Sequence, residues 1–321
     1  MEVKSDIIEK ECLETEEIRH HLIGELKGNE SGPLIIGIAG LHGNEPTGVD
    51  AIEEMMELLS PYESELNGTF VGLKGNIPAL EIGERFIDED MNRLWITSLL
   101  DKIRRKDREL LPTSERKQVK DLLEILDPLV MRNDGRKVIL VDLHTFSGER
   151  GMFSITQREE GHIELLSQLK IPLIFGIEHT LHGTSMDFAD EHGHIGFAFE
   201  AGSHGTDEAR QHALAGLLVL MVASGLLHAS TLPTYSDYYD YLMGQVHALP
   251  HKVRFVYKHI IEEGDEFEMC PGFKNFDRVK FGDWLANDNC GKILAQANGY
   301  ILMPLYQKQG NDGFFIVEDC I

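Results

Sequence analysis

Over the first two-thirds of the chain, short uninterrupted apolar runs alternate with amphipathic stretches. LIIGIAG (34–40), GTFVGL (68–73), KVILVDL (137–143), IPLIFGI (171–177) and GFAFEAG (196–202) are bounded by Gly or polar residues. That is the pattern of strands buried on both faces of a parallel sheet. Between them, VDAIEEMMELL (49–59), with Pro46 placed as a first helical residue, the charged, Leu-rich segment 98–127, and 207–227 carry helical spacing. The alternation predicts an α/β architecture: a mostly parallel mixed sheet flanked by helices. Residues 1–30 read as a polar, helix-leaning lead-in.

The texture changes at about 230. PTYSDYYDYLMGQVHALP (233–250) is aromatic and bounded by proline, and reads as a linker. KVRFVYKHI, GDEFEMCPGF, GDWLA, GKILAQ, GYILMPLY and GFFIVE then follow as short strands punctuated by Gly, which predicts a small all-β domain. GKILAQANGYILMP has a faint echo of a lipoyl-type sandwich, but no lysine sits at the centre of a tight turn there. The expected division is an α/β domain over 1–230, its core starting near 34, and a small C-terminal β domain over 248–321 that caps a site.

Composition narrows the function classes. With 30 Lys+Arg against 54 Asp+Glu the formal charge is −24. Nucleic acid is thereby disfavoured, since phosphate binding needs clustered Lys and Arg, and so is an anionic membrane surface. A local positive pocket survives that argument. The hydrophobic share of 42% and charged share of 26% suit a globular chain able to bury a core. Cys12, Cys270, Cys290 and Cys320 show no CxxC spacing, so neither a zinc knuckle nor a disulfide framework is indicated. The acidic start MEVKSDIIEKECLETEE lacks a signal-peptide apolar core. No run approaches the roughly 20 apolar residues of a membrane span. A cytoplasmic protein is expected.

The chemistry concentrates at strand ends, where ligands of open α/β sheets gather. His42-Gly43-Asn44-Glu45 follows the first run, and a His and a Glu three apart in such a loop can turn to one ion. Zinc accepts both donor types and, in catalytic sites, a third protein ligand. His144, just past KVILVDL, is the candidate for that third place. Asp142, two residues earlier, either orients an imidazole or is an ordinary edge charge. Alone, His42 and Glu45 read sooner as a surface His and a helix-start Glu. Arg85 with Asn92 and Arg93, in RFIDEDMNRLW, suggests an anion pocket; the plainer alternative is salt bridging to Asp88, Glu89 and Asp90. Glu200 ends the run GFAFE, where a carboxylate is costly without a task or a partner. It is a candidate general base, or is bonded to Ser203 or a helix N-terminus.

Taken in order, HGNEPTG, N-x-P-A, R-x-I-D-x-D-x-N-R, a strand-end D-x-H and F-E-A-G resemble the succinylglutamate desuccinylase/aspartoacylase family, a branch of the zinc carboxypeptidase fold. The resemblance runs from about Leu34 to Leu227, and a small β domain after it is expected of the family. It implies that His42, Glu45 and His144 bind one zinc, and that Glu200 is the general base. Arg85 would help stabilise an oxyanion, and Asn92 with Arg93 would grip the substrate α-carboxylate. Asn76, Pro78 and Ala79 match the loop before them. The implied reaction is hydrolysis of a small N-acyl amino acid to a carboxylic acid and an amine.

The sequence also departs from that family's pattern. Members that cleave a diacid acyl group carry an arginine about ten residues before the base, where this chain has Asp190. An acidic acyl group is therefore in doubt. His179, His182, His192 and His194 cluster there instead, read as solvated or hydrogen-bonded loop residues rather than a second metal site. Tyr306 is a candidate visitor to the site, or a core or surface aromatic. The rival readings are a zinc carboxypeptidase acting on peptide C-termini, a non-catalytic small-molecule binding module, and a homo-oligomeric scaffold using the aromatic strip Tyr235–Tyr241. A serine esterase is disfavoured because no GxSxG occurs.

Overall fold

The computed structural model describes residues 16–29, 31–132 and 135–320; Cys12 and the first half of the lead-in lie outside them. In chain order the elements are α1 (Glu16–His21), β1 (Leu22–Lys27), β2 (Leu34–Ala39), α2 (Thr47–Leu59), β3 (Thr69–Lys74), α3 (Ile77–Ile82), α4 (Thr97–Arg104) and α5 (Ser114–Val130). There follow β4 (Val138–Phe146), β5 (Phe153–Thr156), α6 (Glu160–Leu166), β6 (Leu173–Phe175), α7 (Ser185–Glu191), β7 (Ile195–Ser203), α8 (Asp207–Ala223) and α9 (Tyr235–Val246). The remainder is strand: β8 (Lys252–Ile260), β9 (Glu268–Met269), β10 (Arg278–Val279), β11 (Trp284–Asp288), β12 (Gly291–Leu294), β13 (Gly299–Leu302) and β14 (Asp312–Asp319).

An 11-stranded sheet in the order β1-β3-β2-β4-β7-β5-β6-β8-β14-β13-β10 is accompanied by a 3-stranded sheet, β12-β11-β9. Its heart, β3-β2-β4-β7, is parallel, and β1 and β5 join it antiparallel. The continuous apolar runs are explained by helices on both faces. Leu34, Ile36 and Ile38 of β2 meet Val119, Leu122 and Leu126 of α5. The alternate residues Ile35 and Ala39 meet α2 and α8. A side chain pointing either way from β2 is thus removed from water, each large one contributing about 1.5–3 kcal/mol. A Cβ on Gly48 would lie 2.9 Å from those of both Ala39 and Leu143. Only glycine lets the first turn of α2 sit directly on the ends of β2 and β4.

The α/β class and the flanked mixed sheet agree with the sequence reading, and several local features differ from it. Segment 98–127 is two helices: the chain breaks after Arg104, and α5 starts beyond Pro112 with Thr113 as its cap, accepting from the Arg116 amide. The lead-in carries β1, and β5 was not expected. Residues 235–246, read as linker, form α9; Leu242 and Val246 are buried, and Tyr235, Tyr238 and Tyr239 pack against the same core. Four of the C-terminal strands, β8, β14, β13 and β10, continue the main sheet, since β8 pairs parallel with β6 and β14 antiparallel with β8, while β9, β11 and β12 form the separate small sheet.

One buried histidine gives the fold a pH dependence. His21 is 1% exposed, and its Nδ1 lies 2.7 Å from the carbonyl of Lys74. Burial pulls its pKa below the usual 6.5, outweighing that hydrogen bond. The unfolded chain therefore takes up a proton below about pH 6.5 that the folded chain refuses, so stability falls as pH drops through that value. Thermal unfolding at pH 7.5 and 5.5 should show a smaller drop in midpoint for His21→Gln than for the wild type. An equal drop would remove His21 from the account.

Candidate active site

Three strand ends build the site. After β2, Gly40 turns the chain at φ +70° and the loop carries His42 and Glu45 to the start of α2. Gly43 holds this loop down: its amide donates to the Arg85 carbonyl at 3.1 Å. A Cβ there would lie 2.0 Å from the Ala79 carbonyl carbon. On β4, Asp142 and His144 are two residues apart and so face the same side. On β7, Glu200 stands in register with His144. His144 and Glu200 lie within their strands, rather than just beyond the ends.

Glu45 is the hub. His42 Nδ1 lies 2.9 Å from its Oε1 and His144 Nδ1 3.0 Å from its Oε2, and the Thr145 amide donates to Oε2 at 2.8 Å. The far nitrogen of each imidazole meets another carboxylate: His42 Nε2 is 3.0 Å from Asp90 Oδ1, and His144 Nε2 is 2.8 Å from Asp142 Oδ2. Carboxylates on the outer nitrogens fix ring orientation and leave both Nδ1 atoms turned inward. Asp142 therefore orients an imidazole, the first of its two sequence readings. Asp90 does the same for His42, a role the sequence reading missed because Asp90 looked like a salt-bridge partner for arginine.

The residues fit a divalent metal. One donor atom each from His42, Glu45 and His144 lies within 4.8 Å of the others, the only such group among the described residues. Two imidazoles and a carboxylate form the donor set of a catalytic zinc, with a position left for water. Charge points the same way: Glu45, Asp90, Asp142 and Glu200 are all buried or nearly so, and the guanidinium touching the group is that of Arg85. Such a surplus of buried negative charge is costly unless a cation offsets it. Burial opposes ionising Glu45 and Asp90, yet the imidazoles beside Glu45, and His42 with Arg85 beside Asp90, hold both well below the usual carboxylate range. Burial likewise opposes charging His144, but Asp142 and Glu45 raise it well above its ordinary value.

Glu200 has a different environment. No hydrogen bond reaches its buried Oε2, and Ser203 Oγ turns instead to the Gly148 carbonyl at 2.8 Å. Burial pushes the Glu200 carboxyl up to about 8, against the pull of nearby His144. A buried carboxyl without a partner, lining the cavity that His42, Glu45 and His144 also line, is poised to exchange a proton with whatever enters.

Arg85 lines the cavity while contacting Asp90 at 3.2 Å, one of the acidic neighbours of its salt-bridge reading, and Glu45 at 3.5 Å. The loop after it is anchored by Glu115, a fully buried carboxylate that accepts from the amides of Ile87, Asp88 and Glu89 and from Asn76 Nδ2. Arg93 is paired with Asp312 of β14 at 3.0 Å, not with the acidic run beside it. Asn92 has both polar atoms of its amide engaged: Nδ2 donates to Asp142 at 3.1 Å, and Oδ1 accepts from the Ser185 amide at 2.9 Å. Its surroundings are those of a brace for Asp142 and His144.

The C-terminal region supplies a strap over the cleft. Gln307 Oε1 accepts from Asn44 Nδ2 at 2.8 Å and lies 3.1 Å from His204 Nε2, while Gln309 accepts from the Arg85 amide at 3.0 Å. His204, which lines the cavity and lies 2.7 Å from Thr145 Oγ1 through its Nδ1, gave no recognisable signal in GSHG. Tyr306 turns away, its hydroxyl donating to the Cys270 carbonyl at 2.9 Å. His192 and His194 bond backbone carbonyls of Phe188 and Val130. Asp190 faces His162 and the Gly196 amide.

Residues 31–226 match the succinylglutamate desuccinylase/aspartoacylase catalytic domain. Curated relatives align over a shorter stretch. The succinylglutamate desuccinylase of Pseudomonas paraeruginosa is 35% identical over 66 residues, 21% of this chain and 20% of that protein. That of Photorhabdus laumondii is 31% identical over 74 residues, 23% of this chain and 22% of that protein. The aligned segment thus spans about a fifth of these relatives. Among solved structures, a succinylglutamate desuccinylase/aspartoacylase from Rhodobacter sphaeroides superposes with TM-score 0.66 at 15% identity, covering 92% of this chain and 88% of its own. The ectoine utilization protein EutE (DoeB) from Ruegeria pomeroyi gives 0.64 at 17%, covering 91% and 87%; at such identities the likeness is one of fold. No helix among the described residues is long and apolar enough to cross a membrane. With the catalytic-domain match spanning well over half its length, and the fold shared across nearly all of it, the chain belongs to the succinylglutamate desuccinylase/aspartoacylase family.

Proposed function

We propose that this protein is a zinc-dependent amidohydrolase that removes the acyl group from a small N-acyl amino acid, using one zinc held by His42, Glu45 and His144. The observation that carries the reading is the convergence of those donors with an unpartnered buried carboxyl, Glu200, on one cavity of about 820 Å³ including its open mouth. Relatives named succinylglutamate desuccinylase support an amide as the bond cleaved. The α/β region to about 230 carries this machinery. The region from 248 contributes the cap, which favours a small substrate over a peptide.

When bound, zinc supplies Lewis acidity, lowering the pKa of a water and polarising a carbonyl. The protein's own residues carry the remaining steps. Glu200 takes the proton of the attacking water and returns it to the leaving nitrogen. Arg85, held in place by Asp90, faces the developing oxyanion. Arg93 exchanges its pairing with Asp312 for the substrate carboxylate, and Asn92 braces Asp142 and His144. The strap of Gln307 and Gln309 shields the cleft from bulk water.

The test is metal content by mass spectrometry, followed by a hydrolysis screen of N-acyl amino acids. About one zinc per chain, absent from His144→Ala, with amide cleavage by the loaded wild type, is the expected result. A chain that takes up no zinc when resupplied would overturn the reading.

A further inference from the structure

Beyond Glu200 the cavity changes character. Ala198 lies two residues before Glu200 on the same face of β7, and Ile155 of β5 is its cross-strand neighbour. Met186, in the first turn of α7, and Phe315 of β14 belong to the same buried apolar cluster, with Leu181 packed at its rim; all five line the cavity. The arginines lining the cavity are Arg85 and Arg93, and no lysine joins them.

Arg93 sits beside this apolar recess. The Trp95 amide donates to the Gly183 carbonyl at 3.0 Å, and a Cβ on Gly183 would lie 2.6 Å from the Arg93 carbonyl oxygen, so the turn before α7 packs against the backbone at Arg93, and Leu181, Met186 and Arg93 line one cavity. Asp312, its ion-pair partner, lies three residues before Phe315 on β14. A carboxylate on Arg93 is one bond from the α-carbon, which places the amino acid's own side chain, not its acyl group, nearest the recess. A second carboxylate there would lose its hydration among five apolar side chains and would face Asp312. Lys258 offers no relief, being bonded to Asp312 at 2.5 Å and to the Thr180 carbonyl at 3.2 Å. Asp190 turns away to His162 at 2.9 Å.

Building on the deacylase reading, we infer that the amino acid released carries an uncharged, apolar side chain, with Leu181, Met186, Ala198, Ile155 and Phe315 forming its subsite. The substrates are N-acyl derivatives of aliphatic or thioether amino acids, and a dicarboxylic amino acid is excluded.

The experiment keeps the acyl group constant. With zinc-loaded protein, kcat/KM for N-acetyl-L-leucine and N-acetyl-L-methionine should exceed that for N-acetyl-L-aspartate by about 100-fold or more, and calorimetry should detect L-leucine binding ahead of L-aspartate. Leu181→Arg, at a half-buried position, should shift the leucine-to-aspartate ratio at least about tenfold toward aspartate. Leu181→Ala, which adds no charge, should raise KM for N-acetyl-L-leucine more than KM for N-acetylglycine. A wild type that prefers the aspartate substrate, or that binds L-aspartate first, overturns the subsite. Preferential L-leucine binding with no hydrolysis of any N-acetyl amino acid sustains the subsite and sinks the deacylase reading instead.

Discussion

Glu200→Gln should lower kcat by about 10³-fold, within the span of a lost general acid–base, while zinc content stays that of the wild type. The substitution nearly preserves shape and removes only the capacity to carry a proton. Because no hydrogen bond reaches Glu200 Oε2, no network collapses with it. The donors His42, Glu45 and His144 are held by Asp90, Asp142 and the Thr145 amide, none of which depends on Glu200. Arg93, the proposed carboxylate contact, is untouched by the change, so KM should change little compared with kcat. Steady-state kinetics beside metal analysis decides the matter. A loss below about tenfold would remove Glu200 as the base, and a loss of zinc would make it a ligand.

Stripping the metal should lower the thermal midpoint, and by more at pH 9 than at pH 7. Burial raises Glu200 to about 8. The folded metal-free chain therefore holds a proton that the unfolded chain has released above about pH 4.5, and stability declines as pH climbs toward 8. His144 acts in the same direction. Despite burial, Asp142 and Glu45 raise it well above 6.5, so its contribution is full below 6.5 and is lost as pH rises through the elevated value. Glu45 and Asp90 are shifted downward, and their contributions are lost only in acid. A bound dication replaces the protons on Glu200 and His144, which flattens the dependence and releases protons on binding. Zinc at 100 to 1,000 times its Kd adds about 2.7–4.1 kcal/mol. Unfolding with and without chelator at the two pH values checks this, and an equal shift at both would refute the charge argument.

The parts of this fold legible in the sequence were those whose signal is local. Buried parallel strands announce themselves as apolar runs, and their ends pointed to His42, Glu45, His144 and Glu200. What was not legible depended on distant partners. Asp90 and Asp142 look alike as charges, and only the packing of their loop and strand shows that each steadies an imidazole. Arg93 sits among acidic neighbours, yet pairs with Asp312 far along the chain. Nothing local reveals that Ser185 and Asp142 take up the amide of Asn92, which also lines the cavity. The junction of β8 with β6 follows from an edge left open by three-residue β6, which composition does not encode. In α9 the helical spacing of Tyr235, Tyr238, Tyr239, Leu242 and Val246 was present, but tyrosine-rich texture obscured it.

The strap over the cleft is fastened by amides: Gln307 to Asn44 and His204, and Gln309 to the Arg85 backbone. None of those fastenings is an ion pair, so dissolved salt has little to screen. The Arg93–Asp312 contact, by contrast, is Coulombic and partly open to solvent. Ionic strength therefore acts on the Arg93–Asp312 pair and leaves the glutamine fastenings alone: in a concentrated electrolyte the cross-link from β14 weakens while the strap stays tied.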